Sequence, residues 1–237
     1  MTRKAFEQQL RELLGKMLVL GSMVEQALME STEALWKRDL EASRRVVERD
    51  REINDRRFAL EALTIGLIAT QQPVAGDLRL LAAVLEIAGE LERIGDYAKG
   101  IAIINLRMGD TLQPSVPAEV TIMSQKAADM LHRALIALVN KDVEAARAIP
   151  QEDEEIDAFY LRIYWDLMGQ IIRDPSLIER VNWLLWAAHN LERAADRVTN
   201  ICERTVYAIT GEMTEMDATW DELERENSGL LQPRSPF

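Results

Sequence analysis

The chain has 237 residues, is 48% hydrophobic, holds 11 Gly and 7 Pro, and carries a formal net charge of -12. That acidic balance excludes non-specific nucleic-acid binding, which needs a basic surface. The single cysteine, Cys202, excludes an internal disulfide and a thiolate zinc cluster, and reads as a small core residue. The apolar pattern predicts six long helices. The first, over residues 5–36, spaces Leu10, Leu13, Leu14, Met17, Leu20, Val24, Ala27 and Leu28 mostly three or four apart. Lys37-Arg38-Asp39 breaks it, and Asp39 is a candidate N-cap for the second, over 40–69. Gln71-Gln72-Pro73 ends that helix, because the residue before proline avoids the helical region.

A third helix is predicted over 76–108, followed by a linker rich in turn formers: Gly109, Asp110, Pro114, Ser115 and Pro117. Helices four, five and six are predicted over 118–139, 143–172 and 177–209, with Asn140-Lys141-Asp142 and Asp174-Pro175-Ser176 as the breaks. Gly211 stops the periodicity. Helices of about 30 residues span about 45 Å and belong to antiparallel bundles with short connections. The most apolar stretches, 62–76 and 181–191, fall short of the roughly 18–20 residues needed to cross a bilayer. The N-terminus, Met1-Thr2-Arg3-Lys4-Ala5-Phe6-Glu7, lacks a long apolar leader. A cytoplasmic protein is expected.

The chain repeats itself. Leu91-Glu92-Arg93-Ile94-Gly95-Asp96 returns as Leu191-Glu192-Arg193-Ala194-Ala195-Asp196, and Asp50-Arg51-Glu52-Ile53-Asn54 returns as Asp153-Glu154-Glu155-Ile156-Asp157. The break residues repeat as well, Asp142-Val143-Glu144-Ala145 mirroring Asp39-Leu40-Glu41-Ala42. The fold expected is all-α: a tandem pair of three-helix bundles, residues 1–109 and 117–211, followed by a polar, flexible tail over 212–237.

Each half carries two pairs of oxygen-bearing side chains four residues apart, hence stacked on one helix face. Glu92 and Asp96 continue the apolar stripe Leu81, Leu85, Ala88; Glu192 and Asp196 continue Val181, Leu185, Ala188. Carboxylates on a packing stripe are costly unless compensated. Compensation can come from Arg93 and Arg193, from a neighbouring helix, or from a metal. Asp50 with Asn54 and Asp153 with Asp157 sit in mid-helix on the antiparallel partner, which gives up to four oxygen donors per half. Oxygen-only donor sets suit hard cations such as Mg, Mn, Ca or Fe. Acids four apart also occur on solvated helices, so both readings stay open. Glu203 lies on the face of Asp196, but its counterpart Ile103 is apolar, and a solvated role is favoured.

Other chemistry is sparse. A ferritin-like di-iron site needs two Glu-x-x-His motifs; Asp129 precedes His132 and Trp186 precedes His189, so neither histidine completes one. Both read as interior or boundary residues, and Trp183 and Trp186 read as core. The arginines Arg44, Arg45, Arg49, Arg51, Arg56 and Arg57 alternate with Glu48 and Glu52, a salt-laced face or a dock for an acidic partner. A carboxylate-bridged di-metal oxidase or hydrolase is the alternative from another class.

Pro73-Val74-Ala75-Gly76-Asp77-Leu78-Arg79 leading into Leu91-Glu92-Arg93-Ile94-Gly95-Asp96, with Asp50-Arg51-Glu52-Ile53-Asn54 before it and Asn190-Leu191-Glu192-Arg193-Ala194-Ala195-Asp196-Arg197 after, resembles the PhoU family of phosphate-uptake regulators. The resemblance runs from Phe6 to about Ile209. It implies a non-catalytic cytoplasmic adaptor that forms a homodimer. It further implies partners in a phosphate ABC transporter and a sensor histidine kinase, damping of the phosphate-starvation response, and attachment to the membrane through protein partners only. Metal ions (Fe, Zn, Mn or Mg) are implied at Asp50, Glu92 and Asp96 in one half and at Asp153, Asp157, Glu192 and Asp196 in the other. Asn54 departs from the acid common in the pattern, so the first site is expected to be weaker.

Overall fold

In the computed structural model, residues 3–109 and 114–216 are described. The helices are α1 (Arg3–Lys37), α2 (Leu40–Gln71), α3 (Gly76–Met108), α4 (Ala118–Asn140), α5 (Val143–Ala148), α6 (Asp153–Arg173) and α7 (Ile178–Thr210). No strand occurs among the described residues. Of the expected tail, 217–237 lie outside the described residues; Met216 N–H donates to Glu203 Oε1 at 2.8 Å, which holds the first tail residues against α7 and gives Glu203 a backbone partner.

The two breaks between rods are built alike. Asp39 caps α2 by accepting from Ala42 N at 2.8 Å, and Asp142 caps α5 by accepting from Ala145 N at 3.0 Å. The preceding residues, Arg38 and Lys141, both take the left-handed conformation, each at φ 56°. A short side chain that satisfies an orphan helix N–H stabilises such a start by about 1 kcal/mol.

The fifth rod departs from the continuous helix predicted over 143–172. It breaks into α5, a 3₁₀ turn over Ile149–Glu152, and α6. Pro150 is the cause: it has no N–H to donate and its ring crowds the carbonyl four residues back. Asp153 therefore opens α6 instead of sitting in mid-helix. Asp153, Glu154 and Glu155 occupy the first turn, where the helix dipole favours negative charge.

Each half supplies three rods. α1 and α3 of the first half pack on α4 and α7 of the second, so four helices surround the centre while α2 and α6 lie outside. One apolar core runs through both halves, from Phe6 to Ala208. Leu13, Met17, Leu20 and Leu28 from α1 meet Met123, Met130 and Leu131 from α4, all at most 1% exposed. Burying each such side chain contributes roughly 1.5–3 kcal/mol. Gly21 permits the close approach of α1 to α4, since a Cβ there would lie 2.1 Å from the Leu135 side chain. Trp183 packs against the core, whereas Trp186 is 55% exposed, a correction to its reading as core. His132 likewise stands at the surface and faces Glu25.

Asn105 fastens one end of the first half. Fully buried on α3, its Nδ2 donates to Ala34 O at 3.0 Å, Asp39 O at 3.3 Å and Ser43 Oγ at 2.9 Å. It thus adds a second donor to corner carbonyls that already accept from Asp39 N and Ser43 N, and ties α3 to the α1–α2 corner. Asn105→Ala is expected to lower unfolding free energy by about 1–3 kcal/mol, because the buried hydrogen bonds that tie α3 to the corner are lost. Urea denaturation checks it, and an unchanged midpoint would show that the corner does not depend on this amide.

Candidate functional site

In the first half the acidic residues lie where α2 crosses α3. Asp50 is buried, with its side chain 8% exposed, while the Asp96 side chain is 51% exposed. Lys99, one turn beyond Asp96 on α3, places its Nζ 2.6 Å from Asp50 Oδ2 and 3.6 Å from Asp96 Oδ1. A single ammonium therefore joins the two helices. Asn54 donates from Nδ2 to Asp50 O at 3.1 Å and Oδ2 at 3.3 Å. The other oxygen, Asp50 Oδ1, is buried without a hydrogen-bond partner. Burial, then the charges of Asp96 and Asp50, raise the Glu92 carboxyl above the usual carboxylate range, and Arg57 opposes them. The hydrogen bond to Asp50 holds the Lys99 ammonium above its ordinary pKa.

In the second half α6 faces α7. Glu192 is half-buried, and burial followed by the charge of Asp157 across the helix pair raises its pKa. Asp196 is half-buried one turn further along α7, Asp153 is half-buried at the start of α6, and Asp157 is exposed. His189 Nδ1 lies 2.9 Å from Glu192 Oε2, yet Oε2 counts no hydrogen bond. Burial and the nearby Arg193 lower the His189 pKa. His189 pairs with Glu192 as an ion only when the ring is protonated. Tyr160 completes the surroundings, its hydroxyl raised by burial and by the Glu192 charge.

The arginines of the repeated motif turn elsewhere. Arg93 pairs with Glu90 at 2.7 Å, and Arg193 Nε donates to Tyr97 OH at 3.0 Å across the seam between halves. Arg197 and Asn200 approach Glu90, and Arg204 pairs with Glu86 at 2.9 Å along the same seam. Arg193, Arg197, Asn200 and Arg204 join α3 to α7.

Among the described residues, no three His, Cys, Asp or Glu side chains converge as a ready metal cage. The two donor sets fit a cation differently. The second offers carboxylates on facing helices, Asp153 and Asp157 on α6 and Glu192 and Asp196 on α7, with Thr199 where the first half has Lys99. The first does not fit at the position between Asp50 and Asp96, because an ammonium stands there. Lys99 was not singled out by sequence, since it lies 49 residues from Asp50; the visible signal was its register, three residues after Asp96 on the carboxylate face.

A family model described as the PhoU domain matches the chain twice, over residues 17–104 and 120–205. The chain belongs to the PhoU family. A PhoU homolog of Clostridium acetobutylicum, described as a phosphate-specific transport system accessory protein, is 35% identical over 92% of this chain and 100% of its own length. The PhoU accessory protein of Escherichia coli K12 is 31% identical over 87% of this chain and 86% of its own. The crystal structure of PhoU from Pseudomonas aeruginosa superposes with a TM-score of 0.82 at 29% identity, covering 87% of this chain and 100% of that one. The phosphate transport system regulatory protein PhoU from Streptococcus pneumoniae gives 0.82 at 31% identity, over 88% and 99%. The duplicated PhoU match coincides with the two helix sets that carry the acidic faces. No helix among the described residues is long and apolar enough to cross a membrane.

A carboxyl whose pKa is raised on folding destabilises the folded state above that pKa, and the cost vanishes as pH falls below the unfolded value. In this PhoU-family chain, Glu192→Gln is expected to raise the metal-free melting temperature at neutral pH, with the gain shrinking as pH drops into the ordinary carboxylate range. Calorimetry in chelator across pH checks this; a gain independent of pH would refute the assignment to ionisation.

Proposed function

We propose that this chain is a non-catalytic, cytoplasmic regulator of phosphate uptake that joins a phosphate ABC transporter to a sensor histidine kinase and damps the starvation response. The observation that carries the reading is the two-copy family match over both halves, together with full-length relatives named as accessory proteins of phosphate-specific transport. An adaptor needs a rigid surface with a state that can change. The continuous core supplies the first, and the acidic face between α6 and α7 supplies the second.

Asp153, Asp157, Glu192 and Asp196 are the residues that would hold a metal in this reading. Such an ion would supply positive charge to carboxylates carried by both α6 and α7. Carboxylate oxygens favour Mg, Mn or Fe, and His189 beside Glu192 adds a nitrogen that Zn also accepts. Glu192→Ala with Asp196→Ala is expected to reduce capture of the transporter's ATPase subunit and of the kinase at least about tenfold, equivalent to about 1.4 kcal/mol. Chelation of the unmodified chain is expected to do the same. Capture indifferent to both would remove the metal from the mechanism, and no capture of either partner would remove the adaptor role.

The outward face of α6 leaves Leu161, Trp165 and Ile172 exposed at 55%, 70% and 82%, on one side of the helix. We place homodimer formation there, because burying such side chains removes apolar area from water. Trp165→Glu is expected to convert the dimer to monomer by light scattering; a monomeric unmodified chain would contradict it.

A further inference from the structure

The acidic faces of the two halves differ at one register position. Three residues beyond Asp96 stands Lys99; three residues beyond Asp196 stands Thr199. The Lys99 ammonium, 2.6 Å from Asp50 Oδ2 and 3.6 Å from Asp96 Oδ1, lies beside both carboxylates that would hold a metal in the first half. Thr199 is 1% exposed, and its hydroxyl has no hydrogen-bond partner, so the second half has a neutral, unspent donor at that register. The partner helices differ in the same sense. Asn54 gives Asp50 an amide hydrogen bond where Asp157 offers a further carboxylate.

We propose that Lys99 is a built-in cation that closes the first acidic face to metal ions, so that metal binding is confined to the second half. The inference rests on the metal reading of the second face given above. A tethered ammonium competes at a high effective concentration and needs no binding from solution. A divalent ion entering beside it would meet a like charge, and displacing it would cost the hydrogen bond to a carboxylate that is nearly buried. Without the ammonium, Asp50 Oδ2 and its unpartnered Oδ1 would both be left for a cation, alongside Glu92 and Asp96. The lysine thus gives the first half a fixed, metal-independent seam between α2 and α3.

The test uses the full chain and Mn(II) as the probe, with metal content after gel filtration and melting temperature as readouts. In a chain carrying Glu192→Ala and Asp196→Ala, intact Lys99 is expected to leave no retained Mn(II) and a melting temperature unmoved by the ion. Adding Lys99→Met is expected to create retention of one Mn(II) per chain and a rise in melting temperature with the ion, both abolished by Glu92→Ala. Lys99→Arg, which keeps the charge, is expected to remain metal-free. Lys99→Thr, the residue type of the second half, serves if the methionine variant does not fold. Retention that needs Glu92 while Lys99 is intact overturns the proposal, as does failure of both Lys99→Met and Lys99→Thr to gain metal. An unmodified chain that binds no Mn(II) beside a Lys99→Met chain that does would sink the second-half metal reading and support the role of Lys99.

Discussion

The pair formed by Lys99 with Asp50 and Asp96 is the constraint on which the first half turns. Asp50 sits where α2 meets α3, on a face otherwise given to Ile53, Leu60 and Leu67. An ionised carboxylate in that position is unfavourable without a positive partner. The ammonium supplies one from the neighbouring helix and fixes the lateral register of α2 against α3. The second half has the same repeated motif, with Thr199 at the register of Lys99. Burial raises the Glu192 carboxyl there, as it raises Glu92 in the first half. The two copies differ in the lysine that bridges the first pair of helices.

The arginines of the motif explain why this difference matters for the whole molecule. Arg193 reaches Tyr97, and Arg197 and Arg204 reach Glu90 and Glu86. These arginines hold α3 and α7 together. Buried apolar contacts give the central four helices their stability, while these polar contacts select their alignment.

Much of this was legible in the sequence. Helix ends at Asp39, Asp142 and Gly211 follow from capping chemistry and lie within a residue or two of the structure. The apolar spacing of α1 identifies Leu13, Met17, Leu20, Val24 and Leu28 as core, and all are buried. The motif repeat locates both acidic faces. Three features escaped. The break at Pro150 was hidden by apolar periodicity that continues on both sides of it. The exposure of Trp186 was hidden because periodicity marks a stripe without fixing its width. The Lys99 contact was hidden because pairing across helices depends on which rods are neighbours and at what height, and residue spacing along one rod is silent on that. Convergence of the acids into a cage was beyond spacing for the same reason: a shared face places side chains near one another without setting ångström distances.

The shared core has an evolutionary corollary. The surface that α1 and α3 present to α4 and α7 is met by a surface built from the same repeated pattern. A half-length ancestor would have had a sticky, self-complementary flank, satisfied only by a second identical molecule related by two-fold symmetry. Fusing the copies into one polypeptide made that partnership permanent and released the two sequences from having to be identical. Divergence at a single lysine is a freedom that such an ancestor, bound by symmetry, could not have used.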